Sequence, residues 1–187
     1  MRRLEEEDVI AMGVMPDPVQ WRTWTEDRVS VSEEGMLATQ TADWQWSLTH
    51  TGEELTEGRH YWEVEIVGDQ LTNIFLGVCR PDADLRAWHG LREHTTAWLM
   101  DTYDSSLYSN GKEGNDEAGG FNRGDRMGFL LDLDDGSLRF FKNGVEHGPG
   151  FPAGSVTGPV ARAAQMYMEG VAVRLLPDAA WPAGHAQ

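Results

Sequence analysis

The stretch Gly124–Pro149, G-D-R-M-G-F-L-L-D-L-D-D-G-S-L-R-F-F-K-N-G-V-E-H-G-P, decides the fold. Met127, Phe129, Leu131 and Leu133 recur at every second position, the period of a β-strand with one buried face. Leu130 adds an apolar side chain to the opposite face. Asp135-Gly136 then supplies a tight reversal, because glycine accepts a positive φ without a Cβ clash. Leu138–Phe141 is a second apolar run, and Asn143-Gly144 is another hairpin signal. The stretch therefore reads as three antiparallel strands joined by two short turns. Phe140 and Phe141 point to opposite faces, so the middle strand is covered on both sides, as inside a two-layer β structure.

Outward from this centre the same alternation recurs. Tyr61–Ile66 is a strand with Trp62, Val64 and Ile66 on one face and Glu63 and Glu65 on the other. Gly68-Asp69-Gln70 turns the chain into Ile74–Cys79, an apolar interior strand, and Ala97–Met100 is another. Arg28–Thr41 reads as two short strands about Glu34-Gly35. Val160–Tyr167 and Val171–Leu176 read as the last two strands, turned by Glu169-Gly170. Asp43-Trp44-Gln45-Trp46 has two readings: a strand with both tryptophans on the core face, or an aromatic lip on a binding groove. Two connections are long, Arg80–His94 and Asp101–Arg123, and long connections in compact domains are often functional. The glycine-rich half of the second, Asn110–Gly120, has no hydrophobic period and is expected to be mobile.

Four of these pieces, in order, resemble the SPRY (B30.2-like) domain family. G-D-R-M-G-F-L-L-D-L-D-D-G-S-L-R-F-F-K-N-G (Gly124–Gly144) is similar to its central signature. L-T-E-G-R-H-Y-W-E-V-E-I (Leu55–Ile66) resembles its G-x-H-Y-W-E-V strand. F-L-G-V-C (Phe75–Cys79) and G-P-V-A-R-A-A-Q-M-Y-M-E-G-V-A-V-R-L-L-P (Gly158–Pro177) follow in place, so the resemblance spans roughly Trp24 to Pro177. It implies an all-β fold, a bent two-sheet antiparallel β-sandwich of the concanavalin-like jelly-roll kind. It also implies a non-catalytic module that binds peptides or proteins through loops. Carried onto this sequence, the family's groove falls on Asp43, Trp44 and Gln45, on the loop from Arg80 to Trp88, on Tyr108, and on Gln165, Met166 and Tyr167. The last three depart from the small-aromatic-glycine pattern of some peptide-binding relatives, with Met166 offering an adaptable apolar contact.

Length and composition fit that picture. At 187 residues one domain is expected: an extension over 1–20 with a short helix at Leu4–Met15, the sandwich over 21–177, and a loose tail over 178–187. The single cysteine, Cys79, cannot form an internal disulfide and reads as an inert buried thiol, which fits a reducing compartment. Met1–Asp8 is charged where a signal peptide needs an apolar core, and no stretch approaches the ~20 apolar residues of a membrane span. The expected location is intracellular, in the cytoplasm. Fifteen Lys+Arg against 31 Asp+Glu leave a net charge of −16. That charge disfavours nucleic acid; it keeps the chain soluble, or alternatively steers it toward a basic partner.

No catalytic or metal pattern rises above its structural explanation, so no enzyme, cofactor or metal is expected. Asp132–Gly136 lacks the spacing of an EF-hand, with Gly136 fifth and Asn143 twelfth. His89, Glu93 and His94 do not share one helix face. Neither a phosphate-binding glycine loop nor a G-x-S-x-G elbow occurs, and the neighbours Glu63 and Glu65 read as one wet strand face. The leading function is thus a protein-interaction module, an adaptor or a subunit of a larger assembly, binding a protein or peptide segment. A glycan-binding sandwich using the eight tryptophans, or a purely structural subunit, stand as alternatives.

Overall fold

The hairpins form as read. In the computed structural model, which describes residues 18–89, 96–109, 112–114 (backbone only) and 118–185, the quoted stretch gives three strands. These are β9 (Arg126–Asp132), β10 (Ser137–Lys142) and β11 (Val145–Glu146), paired antiparallel with Phe140 opposite Phe129 and Phe141 opposite Glu146. The remaining strands are β1 (Val29–Ser32), β2 (Leu37–Gln40), β3 (Ser47–His50), β4 (Arg59–Ile66), β5 (Ile74–Cys79), β6 (Ala97–Asp101), β7 (Leu107–Tyr108), β8 (Lys112–Gly114), β12 (Ala161–Met166) and β13 (Ala172–Leu176). They make a seven-stranded sheet, β1-β2-β13-β4-β9-β10-β11, and a six-stranded sheet, β3-β12-β5-β6-β7-β8. All pairings are antiparallel. The helix expected over Leu4–Met15 lies outside the described residues. Among the described residues, no helix is long and apolar enough to cross a membrane.

The core lies between the sheets. Trp62, Val64 and Ile66 of β4, Met127, Phe129 and Leu131 of β9, and Leu138 and Phe140 of β10 meet Ile74, Leu76 and Val78 of β5 and Trp98 and Met100 of β6. Alternation in β5 then sends Phe75 and Cys79 to the outer face of the six-stranded sheet. Cys79 is buried there, and burial pushes its thiol up from its ordinary range. Cross-strand stacking continues through the core. Trp62 lies opposite Phe129 with ring centroids 4.9 Å apart and planes within 8°, and Phe129 meets Phe140 edge-on at 5.7 Å.

Strands β3 and β7 form where the sequence reading assigned none, and two further segments differ from it. Residues 178–185, expected to be loose, cross the outer face of the seven-stranded sheet. Ala179 and Trp181 pack on Tyr61, Leu130 and Phe141, and Arg59 lies over the Trp181 ring at 5.4 Å. Gly128 makes room for this layer, since a Cβ there would meet the Tyr61 hydroxyl and the Phe141 side chain. The second is Lys112–Gly114, which pairs with β7 although it lies in a stretch with no apolar period. Edge pairing is made by backbone groups and does not require one.

His50 of β3 is buried under Trp24, ring centroids 4.3 Å apart. Its Nδ1 accepts a hydrogen bond from Gly52 N at 3.1 Å, which requires the neutral ring on that side. Burial pushes its pKa down from 6.5 to about 4. In the unfolded chain His50 takes up a proton below about 6.5, while the folded chain resists until about 4. Its contribution is therefore complete above pH 6.5 and lost as the pH falls through that window. The loss amounts to about 3 kcal/mol at most. Urea unfolding at pH 7 and pH 4.5 should show a smaller difference for His50→Asn than for the natural chain; equal differences would reject this assignment.

Candidate functional site

The outer face of the six-stranded sheet is apolar where the other outer face is mostly charged. Leu48 of β3, Phe75 of β5, Leu99 of β6 and Ala163 of β12 form its floor. Four half-buried rings lie on that floor or beside it. Trp46 stacks on Trp88 at 4.1 Å and meets Tyr167 in a tilted contact at 4.5 Å. Trp88 meets Phe75 edge-on at 4.7 Å and Tyr108 at 5.6 Å. Trp44, 66% exposed, touches Tyr167 edge-on at 5.9 Å. The result is a continuous aromatic surface running Trp44, Tyr167, Trp46, Trp88, Tyr108.

Buried polar groups hold this surface in place. Gln40, fully buried, donates from Nε2 to the carbonyls of Ala42 and Gln45 at 2.8 and 2.9 Å, which sets the loop carrying Trp44. Trp44 itself has φ of 57°, a left-handed conformation that a bulky side chain adopts only when its surroundings impose it. Arg28 donates from Nη1 to the Trp46 carbonyl at 2.8 Å. Gln165 of β12, also fully buried, accepts from His89 N at 3.2 Å and donates to the Ala87 carbonyl at 2.7 Å, so it fixes the loop on which Trp88 sits. Leu85 joins in through its carbonyl, which accepts from Leu48 N of the edge strand at 2.9 Å. His89 closes the loop, with ring nitrogens 2.7 Å from Thr96 Oγ1 and 2.6 Å from the Asp84 carbonyl. Among the described residues no group of histidines, cysteines and carboxylates is placed to hold a metal ion; Glu93 and His94 lie outside them.

The expected site residues separate into four kinds of position. Asp43, Trp44, Gln45, Trp88, Tyr108 and Tyr167 come together at this face, with Gln45 N donating to the Tyr167 carbonyl at 3.3 Å. Asp43–Gln45 is a loop, β3 begins at Ser47 and Trp44 is exposed, so the reading of this stretch as a strand with both tryptophans on the core face does not hold. Gln165 lies under the loop, where it acts as a brace. Met166 is fully buried in the inter-sheet core, so it offers no surface contact; the register of β12 against β5 turns it inward. Arg80 points elsewhere. It donates to the Gly158 carbonyl at 2.8 Å and to Thr157 Oγ1 at 2.6 Å, and it lies over Trp98 at 5.2 Å. Trp46 joins the face, as the lip reading of Asp43–Trp46 allowed, and Phe75, buried beneath the rings, was not among the candidates. The odd positions of the apolar run Ile74–Cys79 were the signal for Phe75.

The electrostatics are acidic. The exposed Asp43, next to Trp44 in sequence, accepts from the backbone N of Glu169 at 3.3 Å, which ties the two acidic residues' segments together. At the other end, burial raises the Tyr108 pKa first, and the negative charges of Asp101 and Asp104 raise it further. The surface therefore offers aromatic faces, the phenol of Tyr108 held neutral, and acidic residues in the adjoining loops.

A family model described as the SPRY domain matches residues 59–175. A curated relative, Butyrophilin subfamily 1 member A1 of Mus musculus, is 30% identical over 119 residues, 62% of this chain and only 22% of that protein's length. Among solved structures, the SPRY domain of human HERC1 superposes with a TM-score of 0.70 at 21% identity, covering 88% of this chain and 98% of that one. A second human SPRY domain gives 0.60 at 21% identity, covering 86% and 98%. The TRIM65 PSpry domain gives 0.60 at 17%, covering 79% and 85%. These likenesses to solved structures bear on the fold alone.

Proposed function

This chain belongs to the SPRY domain family, generally a family of protein-interaction modules, and from that premise we propose that its aromatic face docks a short segment of a partner protein, without catalysis. The observation that carries this reading is the continuous run Trp44, Tyr167, Trp46, Trp88, Tyr108. Tryptophan and tyrosine dominate binding hot spots because they bury much apolar area at small entropic cost. Here they stand on loops braced by Gln40, Gln165 and Arg28, so little ordering remains to be done on binding. In this role the domain is an adaptor or a subunit of a larger assembly.

The test is affinity capture with quantitative mass spectrometry, followed by affinity measurement on the partner recovered. Trp88→Ala and Tyr108→Ala should each weaken binding by about 2 kcal/mol or more, roughly thirtyfold in affinity. Thermal unfolding of both variants separates lost contacts from lost folding. Binding that survives both changes in folded protein would reject the proposal, as would glycan-array binding with no protein partner.

A further inference from the structure

Taking the aromatic face as the docking site, we infer that its Trp44–Tyr167 end receives a cationic side chain, arginine or lysine, from the bound segment. This step rests on the docking role proposed above. Trp44 presents most of its ring to solvent, and Tyr167 stands edge-on to it at 5.9 Å. An indole face attracts a cation through its quadrupole, most strongly where the site is partly desolvated. Asp43 precedes Trp44 and Glu169 follows Tyr167 by two residues; both are exposed, and the bond from Glu169 N to the Asp43 carboxylate joins the two segments.

The chain's own cations do not occupy this place. Among the described residues, arginine and lysine lie over the rings of Trp181, Trp98, Phe121 and Trp62, and over none of the five rings of the docking face. The basic residues near the face are already engaged. Arg86 forms a two-pronged pair with Asp27 at 3.0 and 2.7 Å, and Arg28 lies on the Trp46 carbonyl with Asp27 beside it. Asp43 and Glu169 have no ion-pair partner among the described residues. Asp101 and Asp104 extend the negative field to the far end at Tyr108. On a chain of net charge −16, an acidic segment would be repelled along the whole face.

Packing does not account for the conformation of Trp44. Its positive φ is imposed by the Gln40 bonds to the loop on either side, yet the ring so placed is largely left in water. That is the arrangement expected of a ring held ready for a ligand.

The test is selection of random dodecapeptides displayed on phage against the full chain, followed by solution affinity measurement on synthetic versions of the winners. Supporting results are a shared arginine or lysine whose change to glutamine weakens binding about tenfold or more, and loss of most of that discrimination in Trp44→Ala. Asp43→Asn/Glu169→Gln should weaken the same peptides severalfold and flatten their salt dependence. Peptides that lose binding in Trp88→Ala but carry no basic residue, or are indifferent to its replacement, would overturn the cation inference and leave the docking face standing. Recovery of no peptide, or of peptides that bind folded Trp44→Ala and Trp88→Ala as well as the natural chain, would overturn both. Trp44 is largely exposed, so its alanine variant is expected to fold.

Discussion

Trp62→Ala is expected to destabilise the domain by about 3–5 kcal/mol, the largest effect of any single truncation considered for this chain. Trp62 is fully buried at the centre of the inter-sheet core. One face of its ring stacks on Phe129 at 4.9 Å, and the Arg162 guanidinium lies over it at 4.9 Å. Removing the indole forfeits the transfer energy of a large apolar group and leaves a cavity. The walls of that cavity are strands hydrogen-bonded on both sides, with β4 held between β13 and β9, so they cannot collapse to fill it. Against a total stability of roughly 5–15 kcal/mol, the loss should lower the melting temperature by roughly 10 °C or more. Trp62→Phe should retain much of the stacking and lose less. Denaturant unfolding decides it, and a measured loss for alanine below about 1 kcal/mol would show that the ring is not the keystone its burial implies.

Glu53→Gln should cost about 3–5 kcal/mol, nearer the lower figure, although it exchanges atoms of almost equal size. Its carboxylate pairs with Arg162 of β12. The Arg162 side chain is 7% exposed against 33% for Glu53, and its Nε is buried without a hydrogen-bond partner. Burial is the largest influence on Arg162 and depresses its pKa, while the Glu53 charge opposes that shift. Neutralising Glu53 leaves a buried guanidinium without the carboxylate that offsets its desolvation. Arg162→Met removes the charge along with the need for a partner, and should be near neutral or stabilising. The double variant should therefore recover most of what Glu53→Gln alone loses. A double-mutant cycle on unfolding free energies measures this, and additive single changes would reject the pairing. Glu53 is only partly buried, so residual solvation of its side of the pair sets the lower figure.

The charged outer face of the seven-stranded sheet is organised differently. Arg174 of β13 reaches both Glu33 and Glu65, at 2.8 and 2.7 Å, and both carboxylates raise its pKa. This network is largely wet, so it contributes little per pair. Its effect is to keep that face polar up to the patch which Trp181 covers. The two outer faces are thus distinguished by what lies on them: the tail and ion pairs on one, loops that present aromatic rings on the other.

Residue order alone determined most of the strands, their turns and the two-layer architecture, while β3, β7 and β8 were not marked by it. Alternating apolar side chains and Asp-Gly or Asn-Gly reversals are local signals, and each needs only its neighbours to be read. Tyr108 and the Trp44 lip were legible in the same way, as aromatic residues placed in connections between strands. The tertiary structure decided which face of each strand met the other sheet. A period of two says that faces alternate, and leaves open which one is inside when both are apolar. Register therefore sent Met166 into the core and Phe75 to the outer surface, and it set Gln165 beneath the Trp88 loop as a brace. Trp44 took its left-handed conformation from the Gln40 amide, a bond closed by folding that no propensity of tryptophan encodes. The tail found its place only because Tyr61, Leu130 and Phe141, distant in sequence, had been assembled into one apolar patch for Trp181 to cover.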